Sequence, residues 1–220
     1  CGYTPEQMLN QLADFEILAN GPDELAFRYV STNANARAQS EFLVRMPAAS
    51  AVPQVNVKAT FTVVESWPYD NCQFFDVFPF RGVHPQDWWY DSVLWLSHDG
   101  RIKWMDTVAR TYEGDTKLEE FTGGGFFALA HSDRGNMVML VKNFEPQLPT
   151  RYVICGNYID FHMEVCFTGP DGRRAQPPKG FRCTVEYDLA LWGDSGTTRD
   201  ELIDLGKRSI AAGRLAFPEK

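Results

Sequence analysis

The 220-residue chain lacks any block of Lys or Arg, and its formal net charge is −8. An acidic chain with no basic patch offers no footprint for nucleic acid or for an anionic membrane surface. The five cysteines (Cys1, Cys72, Cys155, Cys166 and Cys183) include no Cys-x-x-Cys pair and no zinc-type spacing. Their odd number leaves at least one thiol unpaired within the chain. No apolar run is long enough to span a bilayer, and no signal-peptide pattern occurs. Gly-x-Ser-x-Gly and His-Glu-x-x-His are both missing, which removes two common hydrolase motifs. Gly123-Gly124-Gly125 carries no following Lys-Ser/Thr and opens no helix after a strand. It is a turn or a close backbone approach, not a phosphate loop or a dinucleotide fingerprint. Histidine is scarce: His84, His98, His131 and His162 are the whole set. A multi-histidine metal centre would need most of them to converge.

What the chain has in quantity is apolar and aromatic surface. It is 44% hydrophobic, with six Trp, eight Tyr and sixteen Phe. That is enough to build one large core. Most of these rings are expected to fill it, and the rest can offer the flat apolar faces on which sugar rings stack. A neutral or weakly charged ligand such as a carbohydrate suits the composition. Cys1-Gly2 opens the sequence without Met. A mature bacterial lipoprotein begins this way, so an extracytoplasmic location is the expectation, with a fragment of a longer chain as the alternative.

Period-two alternation dominates the chain. Thr4-Pro5-Glu6-Gln7 has the residues of a helix start, predicting a short helix over Pro5 to Ala13. Strands are expected over Phe15 to Ala19 and Glu24 to Ser31, around the turn Asn20-Gly21-Pro22-Asp23. Further strands are expected over Glu41 to Met46, Gln54 to Glu65 and Cys72 to Phe80. Trp88 to Ser97 and Arg101 to Ala109 flank Asp99-Gly100, a β-hairpin signature. Tyr112 to Glu120 has the polarity of a loop. Phe126 to His131, Met137 to Phe144, a strand from near Arg151 to Phe167, and Phe181 to Trp192 complete the series. Thr198-Arg199-Asp200-Glu201 is a capping box, and Gly213 stands at the far end of the helix it starts. About ten strands at short spacing, with helices only at the ends, predict an all-β fold, a large antiparallel β-sandwich. The expected organisation is a helix in 1–14, a sandwich domain over 15–192, and a helix with tail over 193–220.

Chemistry is concentrated on the strand Tyr158-Ile159-Asp160-Phe161-His162-Met163-Glu164-Val165-Cys166-Phe167. Its odd positions are apolar, and its even positions place Asp160, His162 and Glu164 in a row. Same-face neighbours on a strand are roughly 6.6 Å apart, close enough to converge on one ligand. An imidazole and a carboxylate suit general acid–base work, so His162 and Glu164 are catalytic candidates and Asp160 a substrate-binding one. A divalent metal at Asp160, His162 and Glu164 is a secondary candidate, and the cofactor class stays open. The competing view is a solvated strand face whose charges meet Arg or Lys on a neighbour. The loop Arg81-Gly82-Val83-His84-Pro85-Gln86-Asp87-Trp88-Trp89-Tyr90-Asp91 adds His84 and Tyr90 as proton-transfer candidates. Trp88 and Trp89 point to opposite faces of a strand, so one of them is available to a ligand or lies under a loop. On the last strand, Arg182 and Glu186 are candidate substrate contacts, and Arg182 is equally a structural counter-charge for the acidic row.

The late strand Phe181-Arg182-Cys183-Thr184-Val185-Glu186-Tyr187-Asp188-Leu189-Ala190-Leu191-Trp192 and the run of strands before it resemble the supersandwich of galactose-mutarotase-like domains of carbohydrate-active proteins. The resemblance covers residues 15–192 and carries no catalytic residue across. It implies a protein that binds a sugar or oligosaccharide on a polar sheet face, as a lyase, glycoside hydrolase or epimerase. The alternative is a non-catalytic binding or structural module of a larger exported protein. The oligomeric state is not legible from the sequence.

Overall fold

The computed structural model describes residues 10–33, 36–48, 52–77, 92–97, 99–106, 119–122, 125–130, 135–146, 148–154, 161–194 and 196–218. Among them are thirteen strands and one helix. Nine strands form sheet A, in the order β1 (Asn10–Asn20), β2 (Glu24–Asn33), β3 (Ala38–Pro47), β4 (Gln54–Val63), β13 (Arg182–Trp192), β10 (Asn136–Glu145), β9 (Gly125–Ala130), β6 (Ser92–Leu96), β7 (Ile102–Asp106). Four form sheet B, in the order β5 (Asn71–Val77), β12 (Phe161–Cys166), β11 (Pro149–Ile154), β8 (Glu119–Thr122). The expected all-β sandwich is the fold observed, and every named pairing is antiparallel.

Alternation sets the inner face. On β4 and β13, Ala59, Phe61, Val63, Cys183, Val185 and Tyr187 are buried in the main core. Val165 and Phe167 of the other layer join the same cluster. Phe61 stacks on Phe167 at 5.8 Å, and Trp67 meets Phe61 edge-on at 5.1 Å. The Trp67 indole N–H donates to the Asn71 carbonyl at 2.8 Å, so the ring is buried without an orphaned donor. Burial pushes the Cys183 thiol up to about 12, and it is a packing group here. Burial also raises the Tyr187 phenol.

The outer face of sheet A is divided. Over β9, β10 and β7, the helix α1 (Arg199–Ala212) buries Leu202 and Leu205 in a cluster with Ile102, Phe126, Val138, Leu140 and Leu94. This is why Val93, Leu94 and Trp95 are all buried: β6 is covered on both faces. Gly206 permits the close approach, because a Cβ there would meet the Phe126 ring at 2.7 Å. The helix ends follow the sequence. Thr198 and Glu201 form a reciprocal capping box, and Gly213 closes the helix at φ 64°. The hairpin at Asp99-Gly100 is also as expected, with Gly100 at φ 79° and the Ser97 N–H donating to the Arg101 carbonyl at 2.7 Å.

Three expectations need correction. The N-terminal helix does not extend to Ala13, because Asn10–Ala13 already belongs to β1. Its residues pair across to β2 as far as Asn10↔Asn33, and that ladder outweighs local helix propensity. Pro5 to Leu9 lies outside the described residues. The single strand expected from Arg151 to Phe167 is two strands, since Ile154 pairs with Phe161 and the chain must reverse between them. Finally, Glu119–Thr122 is a strand, not loop, held by pairing with β11.

Candidate functional site

The candidate residues divide between the two sheets. Arg182 and Glu186 lie on β13, at the centre of sheet A. Both alternate with the buried Cys183, Val185 and Tyr187, so they lie on the face turned away from sheet B. His162 and Glu164 lie on β12, inside sheet B. They occupy the positions alternating with Val165, which packs toward sheet A. The two pairs therefore lie on different sheets. Arg182 is not the neighbour of the acidic row. Asp160, His84, Trp88, Trp89 and Tyr90 lie outside the described residues.

On sheet A the charges neutralise one another. Glu186 is directly opposite Lys58, with Oε1 at 3.0 Å from Nζ. The Thr60 and Thr184 hydroxyls are 3.0 Å apart one rung away. Asp188 is almost fully buried. Its Oδ1 accepts from Asn56 Nδ2 at 2.5 Å and pairs with Lys142 Nζ at 2.7 Å. Lys142 reaches it because a register shift between Val141 and Asn143 places it in a β-bulge. Further out, Arg28 bridges Asp14 at 2.7 Å and Glu41 at 3.3 Å, and Arg45 meets Glu24 at 3.0 Å.

On sheet B the register assembles a different set. One rung runs Glu120–Arg151–Glu164–Gln73 across β8, β11, β12 and β5. The next places His162 opposite Asp76. A register shift falls between Met163 and Glu164, opposite Phe75 and Gln73 of β5, and Cys72 beyond it is in the core. Arg151, Asp76, Gln73 and Glu120 were not singled out from the sequence. Arg151 alternates with Thr150 and Tyr152 in a short run, but only the pairing partners reveal which rung it joins. Acids outnumber cations in this set: Asp76, Glu120 and Glu164 against Arg151 and His162. Among the described residues, no group of three or more His, Cys, Asp or Glu is arranged to hold a metal ion. Among them, too, no helix is long and apolar enough to cross a membrane.

No family model matches the chain, and no curated protein matches it. Solved structures do. The GH36 α-galactosidase AgaA from Geobacillus stearothermophilus aligns with 94% of this chain at TM-score 0.50 and 10% identity, over 31% of its own length. AgaB from the same organism aligns with 96% of this chain at TM-score 0.49 and 10% identity, over 31% of its length. A galactose mutarotase related enzyme from Lactobacillus acidophilus aligns with 85% of this chain at TM-score 0.34 and 12% identity, over 74% of its length. The chain thus spans about three tenths of the α-galactosidases it matches. At these identities the likeness is one of fold. The antiparallel β-sandwich expected from the strand pattern is the architecture observed.

Proposed function

We propose that this is a carbohydrate-active β-sandwich protein that binds a sugar or oligosaccharide on the polar face of sheet B. The observation that carries this reading is the register, which sets Glu120, Arg151, Glu164 and Gln73 on one rung and His162 beside Asp76 on the next. A sugar presents hydroxyls a few ångströms apart, each needing a donor or an acceptor. Strands about 4.8 Å apart, with same-face residues about 6.6 Å apart, supply a grid of that spacing. Carboxylates accept from hydroxyls, a guanidinium donates in a fixed fork, and an imidazole does either.

The acid–base groups in this reading are His162 and Glu164. A glycoside hydrolase needs two carboxyl groups some 5–9.5 Å apart, and a lyase or epimerase needs a base beside an acidic C–H. Glu164 has an acid two strands away at Glu120 and another on the adjoining strand at Asp76. Either relation can serve the first chemistry, and His162 can serve the second. Galactosides are the first ligand class to test, since AgaA is an α-galactosidase of the same fold. The second reading is a non-catalytic carbohydrate-binding or structural module of a larger exported protein.

The test is a panel of galactosides and other glycans, assayed for turnover and for binding. His162→Ala and Glu164→Gln are expected to lower turnover about 10²–10⁴-fold, the range for loss of a general acid or base. Arg182→Ala and Glu186→Gln, on sheet A, are expected to change it less than about threefold, within the range of an exposed ion pair. Binding without turnover, lost in the β12 variants, would select the module. Unchanged behaviour of both β12 variants would remove sheet B from the account.

A further inference from the structure

We infer that the hairpin end Asn20-Gly21 is a deamidation site, at which the Gly21 backbone nitrogen closes on the Asn20 side-chain amide and expels ammonia. Asn20 is the one asparagine in the sequence that precedes a glycine. It is the last residue of β1, and Gly21, Pro22 and Asp23 carry the chain round to β2. All four residues are exposed, and among the described residues no hydrogen bond holds the Asn20 side chain. A Cβ built on Gly21 would meet nothing within 4 Å, so the space around this glycine is open.

The step uses water and no other reagent. The Gly21 nitrogen loses its proton to solvent and bonds to Asn20 Cγ. The Cγ–Nδ2 bond breaks, and Nδ2 takes a proton from solvent and leaves as ammonia. The five-membered imide so formed takes up one water at either of its carbonyls. Opening at one gives an aspartate at position 20. Opening at the other gives an isoaspartate, with the main chain routed through the side chain. Nothing is oxidised or reduced. Either product adds one negative charge to a chain that already carries −8, beside Asp23 and Glu24.

Other positions lack one or more of these features. Asp99-Gly100 and Asp171-Gly172 have turn glycines, at φ 79° and 75°. Their side chains end in carboxylates, whose oxygen is a far poorer leaving group than ammonia. Both carboxylates are also held in place. Asp99 accepts from the Arg101 backbone N–H at 3.1 Å and from Arg101 Nε at 2.9 Å, and Asp171 accepts from the Arg173 backbone N–H at 3.1 Å. Arg101 holds the Asp99 carboxyl well below the usual carboxylate range, so it stays ionised. Among the asparagines, Asn56 donates to the Asp188 carboxylate and Asn136 to the Trp192 carbonyl at 3.0 Å. The residues that follow them, Val57 and Met137, carry side chains that crowd the attacking nitrogen. One bond slows Asn20 itself: the Gly21 N–H donates to the Glu24 carbonyl at 3.1 Å. The nitrogen is freed when the hairpin end opens, and an exposed turn is among the segments that open at least cost. The reaction therefore proceeds with the rest of the sheet folded.

The test follows the intact protein in warm, mildly alkaline buffer by mass spectrometry and isoelectric focusing, with the modified position read from fragmented peptides. A synthetic peptide of residues 17–24 sets the clock. By the time the peptide is fully converted, the protein is expected to gain the mass difference between water and ammonia and to focus at a more acidic position. The change is expected at position 20 before any other asparagine, as a mixture of aspartate and isoaspartate. Gly21→Ala is expected to lose the mass gain over the same period. Gly21 is not at positive φ and a methyl there meets nothing, so this variant keeps the hairpin, with far-UV circular dichroism as the control. Asn20→Gln, which would have to close a larger ring, is expected to lose the gain as well. An unchanged parent protein, first conversion at another asparagine, aspartate without isoaspartate, or parental rates in Gly21→Ala would each overturn the inference.

Discussion

Sheets A and B each carry a run of ionisable residues on one strand, and the two runs have different register neighbours. On β13 the acids meet cations: Glu186 is 3.0 Å from Lys58, and Asp188 is 2.7 Å from Lys142. On β12 the row His162 and Glu164 is flanked by Asp76 and Arg151, with Glu120 one strand further on. In the first row Glu186 and Asp188 each have a lysine partner. The register of the second brings three acids, an arginine and an imidazole onto neighbouring rungs, residue types that hydroxyl recognition and proton transfer draw on. Two strands with the same alternation thus face different neighbours in the register.

The largest expected effect on stability comes from the buried member of the first row. Asp188→Ala leaves Lys142 and Asn56 without their partner in a site only 6% exposed at the Asp188 side chain. A loss of about 2–3 kcal/mol is expected in denaturant unfolding, below the range for a fully buried pair because Lys142 keeps some solvent. Glu186→Gln, one rung along in a half-exposed pair, is expected to cost less than about 0.5 kcal/mol. Equal costs for the two would break the distinction between buried and solvated pairs within this row.

The covered half of the same sheet face comes next. Gly206→Ala gains helix propensity of up to about 1 kcal/mol but drives a methyl into the buried Phe126 ring and Ile102. Overpacking costs about 1–3 kcal/mol, so a net loss of about 1 kcal/mol is expected in thermal melts. A stabilised variant would mean that α1 is free to shift off the sheet.

Smaller still is the helix cap. Thr198→Ala removes one side of the capping box, for a loss of about 1 kcal/mol or less. Hydrogen bonds from the Thr198 backbone N–H, then from its hydroxyl, hold the Glu201 carboxyl below its ordinary value of 4.5. A carboxyl lowered in the folded state stabilises above its unfolded pKa, and that contribution is lost as pH falls through the folded value. Melting temperature is therefore expected to be insensitive to this group near neutrality. Below about pH 4.5 the parent protein loses its advantage over Glu201→Gln, and a constant difference across that range would contradict the capping role.

Much of the fold was legible because alternation is a local signal. Val55 through Val63 and Cys183 through Trp192 announce their faces without reference to any other strand. The capping box at Thr198 and the turn at Asp99-Gly100 are equally local. Pairing is not local. Asn10–Ala13 is a strand because β2 is beside it, and Glu119–Thr122 is one because β11 is. The candidate site suffered most from this. Asp160, His162 and Glu164 stand out as a row, but the nearest cation on the page of the sequence is no guide to the nearest in space. Arg182 has the right chemistry and the wrong sheet. Arg151 is close along the chain, but only the reversal between Ile154 and Phe161 sets it opposite Glu164.

The most direct test is a crystal of the protein soaked with a galactose-containing oligosaccharide, with the sugar located by difference density. Density is expected over β12, within hydrogen-bonding reach of His162, Glu164 and Arg151. Density over β13, beside Arg182 and Glu186, would contradict it.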